Sequence, residues 1–118
     1  MATQTITLSL EAGTTNLILT DNQGHSGKNI TTDAGPGDKV IWEIQNGSGI
    51  SEIVNIYCEP GSVDVFNPDP SPQGSSGKWS GTVAESAKGD EQYGIKYKVG
   101  GTVYDVDPFI KVKTGDGG

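Results

Sequence analysis

The chain contains no arginine, and its eight lysines face fifteen aspartates and glutamates, a formal net charge of −7 over 118 residues. Nucleic-acid binding rests on clustered cations, with Arg the preferred bidentate reader of phosphate and guanine. That class of partner is therefore set aside. Cysteine is nearly absent too: Cys58 stands alone, so no internal disulfide can form. The start Met1-Ala2-Thr3-Gln4 has neither the basic nor the apolar region of a signal peptide. Together these point to a reducing, cytoplasmic setting. Long apolar runs are missing as well. Hydrophobic residues amount to 32%, and no stretch approaches the ~18 residues of a membrane helix, so no membrane insertion is expected. Helical periodicity is also lacking. Its best candidate, Val83 to Lys88, is too short to hold alone.

What the chain does have is punctuation. Eighteen glycines and six prolines separate short runs with strand patterning, the signature of an all-β sandwich or barrel. In Thr3 to Leu10, Ile6, Leu8 and Leu10 alternate with Thr5, Thr7 and Ser9. Further strands are expected at Leu17–Leu19, Ile30–Thr32, Lys39–Gln45, Ile53–Tyr57, Trp79–Ala84, Tyr93–Val99, Thr102–Tyr104 and Phe109–Lys113, with a brief extension at Val63–Phe66. Gly100-Gly101 fits a two-residue hairpin loop. Val40, Trp42, Ile44, Tyr93, Ile95, Tyr97, Ile110 and Val112 should form much of the core, with Tyr93 a candidate corner tyrosine. The Pro-rich stretch Asn67 to Gly77 reads as a surface loop, since the ~40 residues after it are too few for a core of their own. The expectation is one domain over residues 1–113 and a flexible Gly-rich tail, 114–118.

The segment Gly37-Asp38-Lys39-Val40-Ile41-Trp42 resembles the G-D-x-V-x-W strand entry of the cupredoxin family. Asn46 to Ile56 is similar to the loop and strand that carry the first copper-ligating histidine there, and Tyr93 to Tyr97 looks like the strand leading into the copper loop. Phe109 to Val112 resembles the closing strand. The resemblance implies a Greek-key β-sandwich, with an immunoglobulin-like one as the alternative. It also locates four ligand positions, at Glu52, near Tyr97, near Gly100 and near Asp105 to Asp107. None carries a family ligand. A blue-copper site takes two imidazoles, a thiolate and a soft axial ligand, whereas the only His, Cys and Met are His25, Cys58 and Met1. The resemblance therefore implies the sandwich without the copper.

The remaining chemistry-bearing residues read blandly. His25 lies in a polar loop, and nothing in the sequence nominates the orienting partner or nucleophile that a base would need. Cys58 precedes Glu59, which disfavours a thiolate, so a small core thiol is expected. Asp64, Asp69 and Asp105-Val106-Asp107 invite calcium but show no calcium-loop spacing, and turn aspartates are the simpler reading. Lys96, Lys98, Lys111 and Lys113 fall on the outer faces of the last two long strands. If those strands pair, four cations share one surface, to be balanced by neighbouring acids, a partner or an anionic ligand. Lysines guarding exposed strands from edge pairing are the plainer account.

The expected function follows: a non-catalytic, copper-free cupredoxin-like domain serving as a protein-interaction or scaffold module. No cofactor is called for, the partner is an unidentified protein, and the chain is a monomer or weak homodimer. The candidate surface is Lys96, Lys98, Lys111, Lys113 and Trp79. The alternative is a small-ligand or carbohydrate-binding module using exposed aromatics among Trp79, Tyr57, Phe66 and Tyr104. Third comes a copper- or calcium-binding protein.

Overall fold

A computed structural model describes residues 2–74 and 77–112. Lys113 and the expected tail lie outside the described residues. Among these the secondary structure is β throughout: β1 (Thr3–Leu10), β2 (Leu17–Asp21), β3 (Ser26–Gly27), β4 (Thr31–Ala34), β5 (Lys39–Ile44), β6 (Glu52–Cys58), β7 (Ser71–Pro72), β8 (Trp79–Thr82), β9 (Asp90–Val99), β10 (Thr102–Val106) and β11 (Phe109–Val112). The Val83–Lys88 segment holds turns and no helix, and Val63–Phe66 supplies a single bridge, Phe66 to Val83.

The strands form two mixed sheets, packed as a β-sandwich. The first runs β3-β2-β1-β5-β8-β7. Its centre is a parallel pair, β1 with β5, in which Ile6 and Leu8 lie level with Trp42 and Ile44. In the second, β9 is the axis. β6 lies antiparallel to it along Tyr93–Lys98, β10 along Ile95–Val99 and β11 along Asp90–Gln92. β4 closes this sheet parallel to β11. Residues paired across strands share a face and neighbours alternate, so one parity of each strand is buried. Seven of the eight residues expected in the core are buried, and Ile44 packs against them half-buried. Trp42 is the hub. Its ring meets Tyr93 and Phe66 edge-on at 5.5 and 5.7 Å, and its indole N–H donates to the Tyr93 hydroxyl at 3.2 Å. Tyr93 thus serves a core tryptophan. A corner tyrosine would bond backbone.

The Gly37-Asp38 turn explains the motif that opens β5. The Asp38 carboxylate accepts N–H groups of Ala2 and Gly35, both at 2.8 Å, tying the start of β1 to the entry of β5. Burial pushes the Asp38 carboxyl up, but those bonds outweigh it and hold it below the usual range. At the other end of the chain, Gly100 and Gly101 turn β9 into β10 with φ of 57° and 89°, the tight hairpin geometry that glycine adopts without strain.

Candidate functional site

The lysine stripe disperses once the strands are paired. β11 reaches only the first residues of β9, so Lys111 lies opposite Asp90, with Asp33 on its other side. Lys96 is six residues further along β9, about 20 Å of extended chain. Lys98 faces Glu52, and Lys96 faces Asp105. Each described lysine of the stripe therefore has an acid as cross-strand neighbour, the favourable arrangement. Trp79 leaves the candidate surface altogether. It is level with Trp42 on the inner face and only 8% exposed. Phe66 is likewise buried.

Lys96 and Lys98 remain on an outer face with a distinct character. Val54 and Val103, two of the three large hydrophobics left exposed among the described residues, flank them. Val103 pairs with Lys98, and Val54 is the extra residue where the β6–β9 register shifts between Ile53 and Asn55. Tyr57 lies across Gly94, with the Lys96 ammonium 5.6 Å from its ring centre and Asp105 3.4 Å from its hydroxyl. A Cβ on Gly94 would clash with the hydroxyl end of the Tyr57 ring; glycine is what lets the ring lie there. Burial, with Glu59, Asp105 and Asp107 nearby, pushes the Tyr57 hydroxyl up to about 12. A hydrogen bond with Asp107 raises Glu59.

Beyond the edge of β10 lies a cleft of about 550 Å³, lined by Tyr104, Asn16, Lys28 and Asp105 among others. Tyr104 stacks on Tyr97 at 5.6 Å, and the Tyr97 hydroxyl donates to the Thr15 carbonyl at 2.9 Å. Two of the positions that the copper resemblance singles out, Glu52 and Tyr97, lie on opposite faces of their sheet. Glu52 points outward beside Lys98, whereas the adjacent pair Ile53–Tyr97 points into the core.

Two groupings were not legible as such. His25 does have an orienting partner: its Nδ1 is 2.8 Å from Asp21 Oδ2. Asp21 is buried and also accepts the Thr32 hydroxyl and the N–H groups of Gln23 and His25. Burial raises this carboxyl, yet the bonds, led by His25, leave it lowered overall. Asp21 thereby ties β2 of one sheet to β4 of the other. The second grouping surrounds Glu91, which is 1% exposed. Its Oε1 accepts the Val65 N–H at 2.7 Å. Cys58, Asp64 and Glu91 bring a sulfur and carboxylate oxygens within 4.8 Å of one another. The Cys58 thiol is directed at the carbonyls of Glu59, Ser62 and Val63, at 3.6 to 3.8 Å. Burial and the surrounding acids push it up to about 11. Thiolate is the ligating form, and in the metal-free cluster the Cys58 thiol holds its proton, directed at backbone carbonyls. Both inward acids carried a signal. Asp21 shares parity with Leu17 and Leu19, and Glu91 with Tyr93, Ile95 and Tyr97.

What fold and surface define is a small all-β sandwich with several shallow surface sites. Its family is shown by sequence: residues 4–104 match the domain of unknown function DUF8788, and the chain belongs to that family. No curated protein matches it significantly.

Proposed function

We propose that this chain is a non-catalytic, copper-free cupredoxin-like domain that acts as a protein-interaction module through the outer face of β6, β9 and β10. One observation carries the reading: exposed Val54 and Val103 share that face with Lys96 and Lys98. The cations there are balanced by Glu52 and Asp105. A mixed patch of apolar groups and paired charges suits a protein partner better than a polyanion. Substituting Val54→Asp and Val103→Asp together should abolish capture of the partner from host lysate. Val63→Asp, at the third exposed valine, should leave it intact; equal capture by all three proteins would refute the assignment. Concentration-dependent mass in solution, lost in the same double variant, would identify the partner as a second copy.

The cleft beside β10 favours a second reading, a small polar ligand such as a carbohydrate. Tyr104 offers an aromatic face, and Asn16, Asp105 and Lys28 offer hydrogen bonds. A glycan panel binding wild type but not Tyr104→Ala would support it; no binding would remove it.

A further inference from the structure

We propose that Glu91 is a pH-sensitive latch, holding the 59–65 segment against the sandwich while its carboxyl carries a proton and loosening it when the proton leaves. The geometry is that of a buried acid doing a backbone task. Glu91 sits on the inner face of β9, and the segment after β6 folds over it so that the Val65 N–H reaches its Oε1. The groups facing it are acidic or neutral. From the segment come Asp64 and, further along, Asp69. From β6 comes the Cys58 thiol, from β9 the Tyr93 hydroxyl, and from β11 the apolar register partner Ile110. The charged pair Asp90–Lys111 belongs to the opposite face. The salt bridges found among the described residues, His25–Asp21 and Lys78–Glu43, do not reach this cluster.

A carboxylate oxygen of Asp64 lies within 4.8 Å of one on Glu91. Ionising Glu91 places its charge beside Asp64 and Asp69, at a site that is 1% exposed. Burial first, then Asp64, push the carboxyl up to about 7, although the Val65 N–H works against them. The ties at the flanks involve no carboxyl: the Val65 carbonyl accepts Ala84 N–H at 2.8 Å, and the Ser62 hydroxyl accepts Gln92 N–H at 2.8 Å. Opening is therefore local, and the Val65 amide reports it.

The test is amide hydrogen exchange at Val65, corrected for intrinsic rates, from pH 4 to 9. In wild type the opening equilibrium should rise by up to about tenfold per pH unit between the free and the raised pKa. Glu91→Gln keeps an acceptor for Val65 and has no proton to lose, so its protection should be flat with pH. Asp64→Asn removes the nearest charge and should move the wild-type inflection down by about half a unit or more. It carries the test if Glu91→Gln does not fold. A wild-type profile without inflection, an unchanged inflection in Glu91→Gln, or no movement in Asp64→Asn would each overturn the latch.

Discussion

Gly94 and Tyr57 show how one missing methyl group shapes a surface. The hydroxyl end of the ring occupies the space where a Cβ would stand, so Gly94→Ala must displace it. We expect a loss of no more than about 1 kcal/mol, because the displaced atoms are the outer end of a half-buried side chain and not core. In the double variant Gly94→Ala, Tyr57→Ala, the two costs should fall well short of additive, as a urea-denaturation cycle would reveal. Lys98 is the contrast. Its pairing with Glu52 is on the surface, so Lys98→Ala should change stability by less than about 0.5 kcal/mol in the same assay. Neither residue is distinguishable from its neighbours by composition. Lys98 could be placed on an outer face by parity, but which acid would face it depended on strand pairing.

Asp21 connects elements. One carboxylate terminates β2, turns the chain toward β3 and reaches Thr32 on β4. Asp21→Ala should leave those donors unpaired and cost about 1–3 kcal/mol, seen as a lowered midpoint in urea. The sign with pH is defined. Because the folded-state pKa lies below its unfolded value, this stabilisation is present above the unfolded value and disappears as pH falls through the folded one. Asp21→Ala should therefore converge with wild type in strong acid. At the β6 edge, the register shift at Val54 interrupts regular pairing, a recognised guard against strand addition. The strands themselves were largely legible, β1 to the residue. Alternation of Ile and Leu with Thr and Ser is a local signal, and glycine pairs mark turns locally. The two-residue strands β3 and β7 were not legible, since they exist only through pairing with β2 and β8.

Across the whole molecule, opposing titrations set the pH optimum. Asp21 and Asp38, both lowered, remove stability in strong acid. Glu91, raised from 4.5 to about 7, prefers its proton in the folded state. Its contribution is therefore fully present below the unfolded pKa and is lost as pH rises toward the folded one. For this buried carboxyl the difference amounts to about 3 kcal/mol, or less if the segment over it opens first. Stability measured by urea denaturation should thus peak in mild acid and decline toward pH 8, and Glu91→Gln should flatten the decline. With a net charge of −7, added salt should also raise stability at neutral pH by screening self-repulsion.

The sequence by itself determined the all-β class, most strand positions and nearly all of the expected core, because side-chain alternation and turn chemistry act over a few residues. It also carried the inward parity of Asp21 and Glu91. Tertiary structure decided which groups met. It buried Trp79 by pairing it with Trp42, split the lysine stripe by running β11 along only the start of β9, gave His25 its carboxylate, and folded the segment after β6 over Glu91. Those outcomes rest on register and on packing between the two sheets, contacts between residues far apart in the chain that no local pattern encodes.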